Sequence, residues 1–149
     1  MAAKKTSAKA VNRAAVGEKQ RRRVLGDDYV NASLASMDDL NRDFMTLIHE
    51  WVWHDIWTRP QLPLKTRSLI NIAMLTALNR PRELAIHLKG ALNNGCTVTE
   101  IKEVLMHTAL YAGVPATIDG MHVAREVLTK TGLLTPAQKS KRLPKKPAR

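Results

Sequence analysis

The spacing of apolar residues through the middle of this chain restricts its fold more than any other feature of the sequence. Between residues 38 and 57, large apolar side chains recur at intervals of three or four residues, which is the period of an amphipathic helix. The residues of this stripe are Leu40, Phe44, Leu47, Ile48, Trp51 and Val52. No segment alternates apolar and polar residues with a period of two, as a half-buried strand would. We therefore predict an all-α fold, a compact bundle of about six or seven helices.

Proline and glycine residues divide the rest of the sequence into further helices. Pro81 suits the first position of a helix, and Gly95 suits the position just after its end. The run Thr97-Val98-Thr99-Glu100 matches a capping box, which predicts the start of another helix that stops at Gly113. The predicted helices are one that ends before Gly26, followed by 29–37, 38–57, 64–78, 81–94, 97–112 and 116–130.

The net charge of +11 is concentrated at the two ends of the chain. Residues 1–23 have a balance of +7, residues 136–149 have +6, and the segment between them has −2. Such charge runs are usually solvated, so we predict a basic tail over 1–19, one helical domain over 20–133 and a second basic tail over 134–149. A non-catalytic oligomeric protein whose tails contact nucleic acid is an alternative, but the mildly acidic domain makes a nucleic-acid partner unexpected.

Cysteine content and hydropathy point to the compartment in which the chain works. Cys96 is the one cysteine, so no internal disulfide is possible, and a reducing cytoplasm fits. No apolar run approaches the roughly 20 residues that a membrane span requires. The basic N-terminus is not followed by the apolar stretch of a secretory signal, so we expect a cytoplasmic protein without a membrane partner.

Glu83 and His87 form the pair of titratable residues that most suggests chemistry. They are four residues apart on a predicted helix, so their side chains are neighbours. A neighbouring carboxylate raises the pKa of an imidazole and fixes its tautomer, which suits a general acid. A solvent-exposed pair without a catalytic role fits the same spacing. Arg80 precedes the pair and could hold a substrate carboxylate, although a solvated charge is the simpler interpretation.

His49 and His54 resemble a zinc-binding pair, but their spacing argues against it. A helical zinc motif needs histidines four residues apart, and these are five apart. On an α-helix their imidazoles would point about 140° away from each other. We therefore predict no metal site.

Several stretches together resemble the carboxymuconolactone decarboxylase family. They are residues 22–27, 55–60, 66–70, 83–84 with His87, 94–95, 100–104 and 111–116. The resemblance implies a helical fold that assembles as a homo-oligomer, typically a hexamer built as a trimer of dimers. It also implies decarboxylation of 4-carboxymuconolactone, an anionic lactone, to 3-oxoadipate enol-lactone in the protocatechuate branch of aromatic catabolism, the beta-ketoadipate pathway, without a metal or organic cofactor.

The family also has a redox branch, which carries Cys-x-x-Cys followed by a histidine. Alignment on His87 puts Arg80 and Glu83 at the two cysteine positions, which excludes thiol chemistry by that route. His54 stands where the decarboxylases usually have glycine, and residues 115–119 also depart from the usual pattern. These departures favour a second alternative, a paralogue that acts on a related lactone or keto acid.

On the strength of the resemblance, each candidate residue receives a hypothetical role. His87, oriented by Glu83, supplies a proton. Arg80 or Arg67 holds a substrate carboxylate, and His107 or Tyr111 donates a hydrogen bond to the oxyanion. Trp53 is assigned as a wall of the substrate pocket, and His54 as a residue that approaches it.

Overall fold

A computed structural model describes residues 11–135, and all the regular secondary structure within that range is helical. Seven α-helices are present, so the predicted all-α class is confirmed, and the two ends of the chain predicted as basic tails lie largely outside the described residues. The helices are α1 (Arg13–Leu25), α2 (Asp27–Ala35), α3 (Arg42–Leu47), α4 (Leu64–Ala77), α5 (Pro81–Asn93), α6 (Val98–Ala112) and α7 (Val114–Lys130). None of these helices combines the length and hydropathy needed to cross a bilayer.

Several helix boundaries differ from the predicted ones, and three of the differences have a clear local reason. α1 begins at Arg13, within the segment assigned to the N-terminal tail, because the Asn12 side chain accepts a hydrogen bond from the Ala15 amide and caps the helix. Residues 38–41 form a turn, in which the Asp38 carboxylate accepts from two backbone amides, so the next helix starts later than predicted. α7 begins at Val114 because Gly113, with φ of 92°, breaks the chain within one residue.

The predicted long helix over 38–57 is correct in position but wrong in geometry. α3 continues directly into a π-helical segment, Ile48–Ile56, which we call the π segment. Its turns are closed by hydrogen bonds to the fifth preceding residue, as from the Trp57 amide to the Val52 carbonyl at 3.0 Å. α1 packs along this segment, and Gly17 of α1 contacts the His49 carbonyl so closely that a methyl group on Gly17 would overlap it.

The buried side chains form two hydrophobic clusters. The larger joins α4, α5, α6 and α7 around residues such as Ile72, Leu88 and Leu105. The smaller joins α1, α2 and the π segment around Val24, Trp53 and other residues, and includes Ile86 of α5 at its edge. The seam between the clusters therefore runs between α1 with the π segment on one side and α4 with α5 on the other.

Candidate active site

A cleft of about 230 Å³ opens at the seam between the two clusters. Its lining combines apolar and aromatic side chains with a few polar ones, as is usual for small-molecule sites. The lining residues are Arg21, Leu25, Tyr29, Ile48, Val52, Trp53, Trp57, Asn71, Glu83, Ile86 and His87. A larger groove between α4 and α6 is open and mainly apolar. The smaller cleft contains Glu83, His87 and Arg21, and we take it as the candidate active site.

α5 presents Glu83 and His87 to the cleft while its opposite face is buried in the core. Leu84 and Leu88 are the buried neighbours, which fixes the rotation of the helix. Glu83 is exposed and His87 is half-buried. The structure thus brings together the two residues predicted as the catalytic pair.

Asn71 and Trp57 hold the imidazole of His87 in place. Asn71 Nδ2 lies 3.3 Å from His87 Nδ1, a contact that favours the neutral tautomer with its proton on Nε2, because an amide nitrogen can only donate. The Trp57 ring stacks on the imidazole with 6.4 Å between centroids and 23° between planes. The ring therefore has a fixed tautomer and a fixed plane.

The pKa of His87 is lowered from its ordinary value, because burial disfavours the charged imidazolium. Glu83 acts in the opposite direction and raises this pKa, but its effect is the smaller one. The expected effect of the Glu83 carboxylate is therefore present, but burial outweighs it, and the net shift of the His87 pKa is downward. Burial therefore favours the uncharged imidazole in the ligand-free protein.

Trp53 and Trp57 form the apolar wall of the cleft. Both are buried, and their rings stack with 5.0 Å between centroids and 29° between planes. Trp53 thus lies where the sequence analysis placed it. The wall lowers the local polarity around any ligand next to His87.

Arg21 also lines the cleft and is only 6% exposed. Its Nη1 is 3.2 Å from Nε2 of His49, and its Nη2 donates to Ser33 Oγ at 3.0 Å. The guanidinium carbon lies 5.5 Å from the centroid of the Tyr29 ring, within range of a cation–π interaction. Among residues 11–135, no carboxylate pairs with Arg21.

His49 is buried beside Arg21 and must be neutral to accept its hydrogen bond. Its pKa is lowered, first by burial and then by the positive charge of Arg21. His54, five residues later, instead places Nδ1 at 2.7 Å from the Asp55 carboxylate. The angle of about 140° between the His49 and His54 imidazoles was calculated for an α-helix. It does not hold here, because both residues lie in the π segment. In the described part of the chain, no three His, Cys, Asp or Glu side chains gather as a metal site would require.

The other predicted substrate-binding residues lie outside the cleft of a single chain. Arg80 is exposed at the N-cap of α5, and Arg67 donates from Nη2 to the Arg59 carbonyl at 3.0 Å. His107 lines the groove between α4 and α6, where its ring lies 5.0 Å from that of Tyr111. With His54, these assignments stay predictions.

Sequence reasoning missed Arg21 and Asn71. Arg21 was counted with the basic run of the N-terminus, although it is four residues after Gly17 and three before Val24, on the buried face of α1. That helical spacing could have separated it from its solvated neighbours. Asn71 has no comparable signal, because its role depends on the packing of α4 against α5.

Comparison with known proteins relates the chain to a family of decarboxylases. Residues 42–126 match the model of the carboxymuconolactone decarboxylase family, a range that includes the π segment, α4 and α5. The 4-carboxymuconolactone decarboxylase of Acinetobacter baylyi is 46% identical over 117 residues, which cover 78% of this chain and 87% of the relative. The nitrosuccinic acid decarboxylase npaB of Metarhizium robertsii is 38% identical over 112 residues, covering 75% of this chain and 78% of that protein.

Proposed function

The chain belongs to the carboxymuconolactone decarboxylase family, and we propose from this that it removes CO₂ from 4-carboxymuconolactone to give 3-oxoadipate enol-lactone in the protocatechuate branch of aromatic catabolism. Both relatives are decarboxylases, so the reaction class is that of a carboxy-lyase. The observation that carries the proposal is the convergence of His87, Glu83 and Asn71 on a cleft walled by Trp53 and Trp57.

The substrate itself explains why such a site suffices. The departing carboxylate is on the γ carbon of an unsaturated lactone. When its C–C bond breaks, the electron pair moves through the ring double bond to the lactone carbonyl and gives a dienolate. An electron sink inside the substrate removes the need for one supplied by a cofactor. Nitrosuccinic acid, the substrate named for the second relative, carries such a sink in its nitro group.

His87 completes the reaction by supplying a proton to carbon. The dienolate takes the proton at the carbon next to the lactone carbonyl, and the imidazole returns to its neutral form. A dianionic substrate beside the ring raises the pKa of His87, which allows the proton to be taken up from solvent on binding. The apolar wall of Trp53 and Trp57 favours loss of a charged carboxylate as neutral CO₂.

The remaining candidate residues have roles only if a second copy of the chain is present. Arg67, Arg80, His107 and Tyr111 lie outside the cleft of one chain, and His54 is occupied with Asp55. The roles assigned to them in substrate binding therefore belong to the proposed homo-oligomer, in which a neighbouring subunit would bring them near.

An ultraviolet assay with purified protein and 4-carboxymuconolactone tests this function. We expect turnover by the wild type and a decrease in kcat/KM of about 10²–10⁴-fold in His87→Ala, because the proton donor is lost. His122→Ala removes an exposed histidine of α7 and is the matched control, which should retain wild-type activity. Absence of turnover in the wild type, or full activity in His87→Ala, would contradict the proposal.

A related carboxylate is the second candidate substrate, favoured by the relative that acts on nitrosuccinic acid. The same assay with nitrosuccinate and other lactone carboxylates, followed through CO₂ release, distinguishes the two. The substrate with the highest kcat/KM identifies the reaction, and both outcomes retain the role proposed for His87.

A further inference from the structure

We propose that Arg21 is the substrate-binding cation of the cleft and that it binds the carboxylate that stays in the product. The inference rests on the proposed function, because it assumes a substrate with two carboxylates, one lost and one retained. It replaces neither His87 nor Glu83, since it concerns binding and not proton transfer. Arg21 is not among the site residues predicted from the sequence, and the family match begins only at residue 42.

The burial of Arg21 without a counter-ion is the first argument. Buried charges in proteins are usually paired, because removal of an ion from water costs several kcal/mol when nothing compensates it. Arg21 is 6% exposed, and the described residues supply only neutral acceptors to it, from His49 and Ser33. The nearby guanidinium of Arg22, in contrast, pairs with both Glu18 and Asp27. A buried cation left without an anion is suited to an anion that arrives from solvent.

The unused donors of the guanidinium give the second argument. Arginine has five N–H donors in a planar fork, and the two hydrogen bonds to the protein use one donor each on Nη1 and Nη2. Arg21 lines the same cleft as His87. A carboxylate in the cleft can therefore receive the remaining donors, and arginine–carboxylate pairs of this kind combine charge with fixed geometry.

Catalysis requires that Arg21 bind the retained carboxylate and not the departing one. A cation that pairs with the departing carboxylate would stabilise the ground state, in which the charge is present, more than the transition state, in which it is being lost. A contact with the retained carboxylate is unchanged during the reaction and orients the substrate. The departing group then lies toward the apolar wall of Trp53 and Trp57.

His49 positions Arg21 and does not touch the substrate. Its Nε2 accepts from Nη1, and Gly17 allows the backbone of α1 to approach the His49 carbonyl. The guanidinium is thereby held from the π segment on one side and from Ser33 of α2 on the other. Such a rigid cation loses little conformational freedom when the anion binds.

Binding of 2-furylacetate, a stable compound that resembles the product, tests the inference against 2-furylacetamide, which lacks the charge. Quenching of tryptophan fluorescence follows binding, because Trp53 and Trp57 wall the cleft. We expect the wild type to bind the acid at least about tenfold more tightly than the amide, and Arg21→Met to lose this preference. Arg23→Met removes an exposed arginine of the same helix and should behave as the wild type.

Arg21→Lys provides a second test if Arg21→Met does not fold. It keeps the charge but loses the planar fork, so binding of the acid should weaken by about tenfold while binding of the amide is unchanged. Equal affinity of the wild type for acid and amide, or unchanged preference in Arg21→Lys and Arg21→Met, overturns the inference. If Arg21 governs binding of 2-furylacetate but the wild type does not decarboxylate 4-carboxymuconolactone, the proposed function fails, and Arg21 is the carboxylate-binding residue of the cleft for a different substrate.

Discussion

At the scale of single residues, the pKa of His87 depends on a balance between burial and charge. Burial disfavours the imidazolium, Glu83 favours it, and Asn71 donates to the neutral ring. The pair Glu83 and His87 was visible from helical spacing alone. The direction of the shift was not, because it depends on how closely α5 packs against α4 and α1. Spacing identifies neighbours, whereas burial is a property of the assembled fold.

Glu83→Gln should shift the pH dependence of catalysis to lower pH. The acid form of His87 is the active one in the proposed mechanism, so kcat/KM is high below its pKa and falls as the pH rises through it. Glu83 raises this pKa, and its removal lowers the pKa further below the ordinary value. The measurement is kcat/KM as a function of pH, with Glu126→Gln of α7, an exposed site, as the control. If the pH at which kcat/KM falls is unchanged or higher in Glu83→Gln, the role of Glu83 is contradicted.

At the scale of secondary-structure elements, local sequence decided some features and tertiary packing decided others. The capping box of α6 was predicted from four residues, and both of its hydrogen bonds are present. The Glu100 amide donates to Thr97 Oγ1 at 3.1 Å, and the Thr97 amide donates to the Glu100 carboxylate at 2.8 Å. The π segment has no local signature that distinguishes it from an α-helix. Its geometry goes together with the close approach of Gly17, which comes from a distant part of the chain.

Gly17→Ala should destabilise the protein although alanine is the better helix former. The added methyl group would overlap the His49 carbonyl, which is backbone and cannot move aside. We expect a loss of about 1–3 kcal/mol in the free energy of unfolding, measured by urea denaturation. Gly90→Ala is the matched comparison, because its methyl group would lie 3.0 Å from the Leu25 side chain and 3.3 Å from the Val24 carbonyl, against 1.8 Å from the His49 carbonyl at Gly17. An equal effect at both positions would show that the approach of α1 to the π segment is not restrictive.

At the scale of the whole molecule, the two histidines whose pKa values are lowered link stability to pH. The folded-state pKa values of His49 and His87 are lowered, so the unfolded chain binds more protons than the folded one as the pH falls below about 6.5. Stability should therefore decrease with falling pH, by at most about 1.4 kcal/mol per pH unit for each histidine. The carboxylate of Glu100, whose pKa is lowered to about 2, acts only in more acidic solution.

Urea denaturation between pH 7 and pH 5 measures this dependence, and His49→Gln isolates one of its two sources. Glutamine offers a carbonyl to Arg21 but does not titrate, so the variant should lose stability less steeply than the wild type as the pH falls. His122→Gln, at an exposed position, should follow the wild type. A slope in His49→Gln as steep as that of the wild type would assign the acid sensitivity elsewhere.

Assembly is the property of the whole molecule that one chain does not reveal, and it decides whether His107 and Tyr111 have a role. Leu110 is 80% exposed and Tyr111 is 81% exposed, and α6 and α7 carry other exposed apolar residues, such as Met106 and Val114. Exposed apolar surface of this kind is typical of subunit interfaces. The homo-oligomer expected from the sequence remains a prediction, and sedimentation should give a mass that is a multiple of 16.6 kDa.

Leu110→Glu should reduce that mass, because a carboxylate at the centre of an apolar interface has no partner. Leu40→Glu is the matched control, since Leu40 is 93% exposed in the turn before α3 and should leave the assembly unchanged. If Leu110→Glu dissociates the protein and also lowers kcat/KM while 2-furylacetate still binds, a neighbouring subunit supplies part of the catalytic machinery. A wild type that sediments at 16.6 kDa would contradict the predicted oligomer and leave the cleft of the single chain as the complete site.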